Sequence, residues 1–344
     1  MHAAAPHSVH RTLVIRFGAL GDLVLATALL PGLRRQRPST HVTWVTKEIW
    51  APRLAHDPRI DALVTLGPGE ALGSLRGRLG DHGFDHVIDA HSNLRSRLLT
   101  AQLPPAPTVR LHKDTFARWL LVAGGPQLAS LDRRLVDRFR ALVPTSRPTD
   151  RPRIVVGTRP RARASVAMED DGPWLAVAPG AKHPAKRWPA ERFAAVAHAH
   201  ADRHGARVLI LGGPDDRAEM RVVESAVPGA LVWPADGPLD EVAAALERCD
   251  LLLANDSGLV HLAEAVGTPV VAVFGPTVRA WGYFPLDPRS RVVEKDVACR
   301  PCSKAGERPC RQPETWCLTR STVDEVTSVV EDAWSANASD RRFR

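Results

Sequence analysis

Long apolar runs are missing from this chain of 344 residues. The best, Leu23 to Leu33, is interrupted by Thr27, Pro31 and Gly32, and falls short of the roughly 20 apolar residues that cross a bilayer as a helix. A membrane-spanning protein is excluded. Aromatic residues are scarce at 5%, with one tyrosine, and they do not alternate with basic residues, which argues against a stacking platform for nucleic acid. The dinucleotide fingerprint G-x-G-x-x-G with an acidic residue about twenty positions on is absent, so a nicotinamide dehydrogenase is disfavoured. Met1 to Arg11 lacks the charged, apolar and small-residue zones of a signal peptide, and a cytoplasmic location is expected. There are only five cysteines, and four of them fall in one C-terminal stretch. A disulfide framework spread along a secreted chain would not look like that.

What is present suits a folded α/β protein. Hydrophobic residues make up 44% and charged residues 24%, enough for a sizeable core. At about 150 residues per domain the length suggests two domains. The 46 lysines and arginines exceed the 38 acids, giving a formal charge of +8 that favours anionic partners. Strand-like runs at 12–17, 41–46, 62–66, 87–90 and 108–111 alternate with helix-compatible stretches, and an arginine-rich segment follows from Phe116 to Val143. The alternation resumes at 174–178 and continues to Phe274. Such alternation implies parallel sheets. A proline- and arginine-rich stretch, 144–171, separates the halves, so domains of 1–165 and 166–344 are expected. Two doubly wound halves would meet across a cleft and bind ligand at the carboxyl ends of their strands.

Three segments at such strand ends carry the chemistry. Gly18-Ala-Leu-Gly21-Asp22 follows the first strand and opens a helix. Asp22 reads either as that helix's N-cap or as a carboxylate that accepts a proton from a hydroxyl nucleophile. Pro179-Gly-Ala-Lys182-His-Pro-Ala-Lys186-Arg187-Trp-Pro189 places three cations in one loop, a phosphate clamp or a solvated basic loop. Asn255-Asp256-Ser257-Gly258-Leu-Val-His261 links an apolar strand to a helix whose N-terminus is a ready anion site. Asp256 would repel a diphosphate, so a sugar hydroxyl is its expected partner. His261 taken alone reads as a satisfied core histidine.

Together these segments resemble glycosyltransferase family 9, the bacterial heptosyltransferases of lipopolysaccharide core assembly. The resemblance covers nearly the whole chain. It includes Asp-x-His-x-x-x-x-Ser (89–96), Leu-Gly-Gly-Pro (211–214), and Asp-Ser-Gly-x-x-His-x-Ala-x-Ala-x-Gly-Thr-Pro running on to Phe-Gly-Pro-Thr (256–277). The last is the most specific. The resemblance implies a GT-B fold of two Rossmann-like domains, the first for acceptor and the second for donor. It implies inverting transfer, without a metal, from a nucleotide-activated sugar, typically ADP-heptose, to an anionic glycolipid acceptor at the inner-membrane surface. By the family pattern Asp22 is the base. Lys182, Lys186, Arg187, Asp256, Ser257, Gly258 and His261 face the donor, and Gly21 and Arg95 the acceptor. No cofactor is implied for catalysis, and the sequence itself contains no Asp-x-Asp pair to chelate a divalent ion.

Cys299, Cys302, Cys310 and Cys317 give the spacing C-x2-C-x7-C-x6-C, readable as a structural zinc site or as reduced thiols. A last helix opens at Ser321-Thr-Val-Asp324 with a capping-box-like start, and a polar tail follows Trp334. Two other functions remain open: a hydrolysing epimerase acting on a sugar nucleotide, and a non-catalytic nucleotide-sugar binder.

Overall fold

The computed structural model describes residues 10–80, 83–169 and 172–337. The signal-peptide reading of residues 1–9 and the end of the polar tail lie outside them. The described chain forms two compact units, each built on a wholly parallel sheet. One unit comprises 1–113 with 135–155, the other 114–134 with 156–344.

In the first unit the strands are β1 (Arg11–Ile15), β2 (His41–Lys47), β3 (Ala62–Leu66), β4 (His86–Asp89) and β5 (Thr108–Arg110). They lie in the order β3-β2-β1-β4-β5, the Rossmann arrangement in which the chain reverses direction between β1 and β4. Register pairs Ile15 with Asp89, so both strands deliver their next residues to the same edge. Leu13 and Ile15 of β1, Val45 of β2 and Val87 of β4 are buried in the core beside the sheet.

The second unit holds β6 (Trp174–Ala178), β7 (Arg207–Ile210), β8 (Leu231–Val232), β9 (Leu251–Asn255), β10 (Val270–Phe274) and β11 (Arg291–Glu294). Their order is β11-β10-β9-β6-β7-β8, the six-stranded form of the same topology, with its switch point between β6 and β9. Every residue of β6, β9 and β10 is buried, the expected state of strands covered by helices on both faces. The final helix, Val323–Ala336, adds Val326, Val330, Ala333 and Trp334 to this core. Its N-cap is Thr322, whose hydroxyl accepts from the Glu325 amide, one residue later than the sequence suggests.

The structure departs from the expected layout chiefly at residues 114–155. The segment expected to be helix-compatible from Phe116 to Val143 is a helix at Thr115–Val122, a short turn at 129–131 and a helix at Leu135–Arg140. Gly124, at φ +84°, Gly125 and Pro126 stop the first helix. Residues 114–134 then pack on the second unit: Ala117 and Leu131 join Ala280 and Trp281 in one buried cluster, and the Arg118 guanidinium lies 5.6 Å from the Trp281 ring. Residues 135–155 return to the first unit, where Arg35 donates to Asp150. The boundary near 165 is therefore replaced by two crossings, near 113 and 135, before the second unit resumes at Val156. The strand β11 carries no glycine-strand or strand-helix signature that would have marked it.

Candidate active site

At the switch point of the first unit, Arg16 follows β1 and is 5% exposed. Its guanidinium donates to the Ala90 carbonyl after β4, at 2.7 Å, and pairs with Asp22. Asp22 is not the helix N-cap. That position belongs to Ala19, and Asp22 sits in the first turn of the helix Leu20–Ala26, whose N-cap makes no side-chain bond. One carboxylate oxygen of Asp22 meets Arg16. The other, Oδ1, is shielded from water and has no hydrogen-bond partner among the described residues. Arg16 thus fixes one oxygen of the carboxylate and leaves the other without a donor among the described residues, the arrangement a proton acceptor needs. Gly21 is buried in the same turn.

The loop after β4 completes this half. Asp89 is fully buried and accepts from the His91 and Ser92 amides and the Ser96 hydroxyl, at 3.1, 2.7 and 2.9 Å. It thus shapes the turn into the helix Leu94–Ala101, on which Arg95 is exposed. His91 packs edge-on against Phe17. Burial first, and then the charges of Arg16 and Lys113, lower its pKa from 6.5 to about 4, so near neutral pH it is an uncharged imidazole beside Asp22. Arg16 and His91 were not singled out from sequence. The signal for Arg16 was there: a charged residue between an apolar strand and a glycine turn is buried only if paired.

At the switch point of the second unit, Asn255 ends β9 and is fully buried. Its amide donates to the Pro179 carbonyl at 2.7 Å, and its carbonyl accepts from the Trp188 amide at 2.9 Å. One side chain thereby ties both ends of the loop 179–188 to the neighbouring strand. Within that loop Lys186 projects to Asp256, with Nζ 2.7 Å from Oδ2, and the Thr277 hydroxyl donates to the same oxygen. Asp256 thus has a cation and a hydroxyl of the protein as partners at one oxygen. Ser257 is the N-cap of the helix Gly258–Ala265, yet its own hydroxyl makes no cap bond and is shielded without a partner among the described residues. His261 is 4% exposed, one turn in, with its ring 6.2 Å from that of Tyr283.

The three cations of the loop differ in employment. Arg187 is occupied by the Ala181 carbonyl, Glu219 and Asp216, a brace for the loop. Lys182 is exposed. Lys186 is 14% exposed and is backed by Gly306 (φ +77°), where a Cβ would lie 2.8 Å from the Lys186 side chain. Of the three, Lys186 is the one that reaches the turn before the helix Gly258–Ala265.

The four cysteines line one cavity of about 380 Å³ together with Ala185 and Pro276. Burial raises the Cys302 thiol, and lifts Cys317 to about 11. Among the described residues, three ligand atoms within 4.8 Å of one another occur only at His200, His204 and Glu331. The four sulfurs share a cavity without meeting that 4.8 Å spacing among the described residues.

Residues 72–311 match the family profile described as glycosyltransferase family 9 (heptosyltransferase). The chain belongs to glycosyltransferase family 9. It is similar to lipopolysaccharide heptosyltransferase 1 of Pseudomonas aeruginosa, 28% identical over 312 residues that cover 86% of each chain. Two solved structures share its fold. The family 9 glycosyltransferase of Veillonella parvula has a TM-score of 0.81 at 24% identity, covering 95% of this chain and 98% of that one. The Escherichia coli heptosyltransferase WaaC with ADP-2-deoxy-2-fluoro heptose has 0.67 at 20%, covering 94% and 99%. Membership makes this chain a glycosyltransferase with the GT-B pair of Rossmann-like domains, in line with the two sheets described above.

Two outcomes test the geometry. Asn255→Ala leaves the Trp188 amide and the Pro179 carbonyl without their partner, and lowers unfolding stability in urea by about 1–3 kcal/mol. For His91, the folded pKa lies below the unfolded one, so the unfolded chain binds the extra proton between pH 6.5 and about 4. Stability therefore falls as pH drops through that window. The urea midpoint of His91→Gln should fall less between pH 7 and pH 5 than that of the parent chain; equal slopes would show that His91 does not stay neutral.

Proposed function

We propose that this chain is an inverting, metal-independent heptosyltransferase that moves heptose from ADP-heptose to a hydroxyl of an anionic lipopolysaccharide-core or related glycolipid. The observation that carries the reading is the shielded Asp22 Oδ1, which has no hydrogen-bond partner among the described residues, on a carboxylate whose other oxygen is held by Arg16. Such an oxygen suits a base for a hydroxyl nucleophile. The family's curated relatives are named heptosyltransferases, and a similar structure carries an ADP-heptose analogue.

The chemistry follows an in-line displacement. The acceptor oxygen forms a bond to the anomeric carbon as the bond from that carbon to the phosphate oxygen breaks, which inverts the configuration. The acceptor proton passes to Asp22, and the electron pair of the broken bond stays on the nucleoside diphosphate. A carboxylate is a weak base, so the transfer is late, once bonding to carbon has made the hydroxyl acidic. Negative charge grows on the leaving diphosphate. Lys186 and the free amides at the start of the helix Gly258–Ala265 are the groups that offset it. Asp256 does not oppose this, because its charge is already shared by Lys186 and Thr277. It holds the lysine in place, and the lysine's remaining N–H donors serve the phosphate. Ser257 and His261 flank the same turn, Lys182 guards its rim, and Arg187 acts through the loop it braces.

The acceptor side is cationic and partly apolar. Arg95 and Arg97 are exposed on the helix Leu94–Ala101 beside Leu94 and Leu98, which are 74% and 48% exposed. Exposed apolar side chains among arginines suit an anionic glycolipid and a peripheral place at the cytoplasmic membrane face. Among the described residues no helix is long and apolar enough to cross a membrane.

Asp22→Asn should keep ADP-heptose affinity within a few fold and cut turnover about 100-fold or more; near-normal turnover would remove Asp22 from the chemistry. Lys186→Ala should weaken donor binding about ten- to a hundredfold by calorimetry, with turnover unaffected by chelator in both the parent and variant chains. Release of free ADP without acceptor would favour the hydrolysing reading, and binding without either reaction the silent binder.

A further inference from the structure

The second unit holds a cluster that the transferase chemistry does not use. His200 and His204 stand four residues apart on the helix Ala190–His204, hence on one face, and Glu331 reaches them from the final helix. His200 Nδ1 is 2.7 Å from Glu331 Oε1, and His204 Nε2 is 2.5 Å from Oε2. His200 is fully buried, His204 and Glu331 are 26% and 18% exposed, and Trp334 closes over His200 edge-on at 4.3 Å. The three ligand atoms lie within 4.8 Å of one another.

We propose that His200, His204 and Glu331 form a metal site for a borderline divalent ion of the zinc class, stapling the final helix to the helix Ala190–His204. The donor set, two imidazoles and one carboxylate, is the one zinc takes with three protein ligands and an open fourth position. Around zinc, with bonds of about 2.0–2.2 Å, ligand atoms sit roughly 3.3 Å apart. The carboxylate oxygens now lie 2.7 and 2.5 Å from the imidazole nitrogens, so Glu331 must draw back by somewhat under ~1 Å to admit the ion. Hydrogen bonds alone would hold the cluster with one carboxylate oxygen for each imidazole. The ion replaces both bonds with direct ligation and leaves the second oxygen of Glu331 to Arg203, whose Nη1 is 3.6 Å from it. Burial of His200 and the cover of Trp334 fix one ligand before the ion arrives, which favours binding by sparing ordering entropy. Since the final helix supplies part of the second unit's core, a metal bound only by the folded state stabilises the fold by linkage. The site is independent of the transferase reading.

The test uses the untagged full chain stripped with chelator, with one equivalent of Zn2+ as probe. One zinc per chain should remain after dialysis, and the midpoint of thermal unfolding should rise by at least about 3 °C. Both effects should vanish in His204→Ala and in Glu331→Gln, and persist in a chain carrying His2→Ala and His7→Ala and in one carrying Cys299→Ser and Cys302→Ser. Co2+ substituted in the parent chain should show tetrahedral absorption without a thiolate charge-transfer band. That spectrum decides the matter even if a variant does not fold. A thiolate band would place the metal on the cysteines and overturn the proposal. So would the absence of bound zinc, or zinc retained by both cluster variants.

Discussion

Two buried side chains, Arg16 and Asn255, hold the candidate groups where the parallel sheets change direction. In each unit the chain leaves the middle strand on one side and returns on the other, so the carboxyl ends of β1 and β4, and of β6 and β9, are left without a crossover above them. Polar side chains are brought into an otherwise apolar edge there, and each must be partnered. Arg16 reaches from the end of β1 to the Ala90 carbonyl beyond β4 and to Asp22. Asn255 does the matching work from β9 to the loop after β6. The first orients a carboxylate and the second positions the loop that carries a lysine, so the placement of both candidate charges rests on backbone bonds made by other residues.

This division explains why the loop 179–188 has three cations and only one at the centre. Arg187 satisfies two acids and a carbonyl, work that suits a planar fork with five donors. Lys186, a flexible point charge, is left with donors to spare after pairing with Asp256. The pair with Asp256 thus holds the Lys186 side chain aimed at the turn, with Gly306 giving it room. The segment before the final helix ties in through the Trp188 indole, which donates to the Ser321 carbonyl, so the loop is anchored at both the strand and the C-terminal segment.

Much of this was legible in the order of residues. Strand positions, the glycine turn before Asp22 and the turn at Asp256 to Gly258 follow from local periodicity and backbone preference. Most strand limits agree with the structure to within one or two residues, and those of β3 and β6 match it. The 114–134 excursion was not legible, because the contact of Ala117 and Leu131 with Trp281 joins residues some 150 positions apart, and no local pattern encodes it. The partners of Asp22 and Asp256 were missed for the same reason. A cap and an ion pair use the same aspartate, and sequence spacing favours the cap because it is local.

The sequence by itself determined the two doubly wound layouts, the family and the identity of the charged residues at the strand ends, since hydrophobic period, glycine placement and motif spacing are properties of neighbouring residues. Only the tertiary structure decided which cation faces Asp256, that Arg187 is a brace, that four clustered thiols do not converge, and that two histidines and a distant glutamate do. Those outcomes depend on distances across the fold, set by packing between elements and not by separation along the chain.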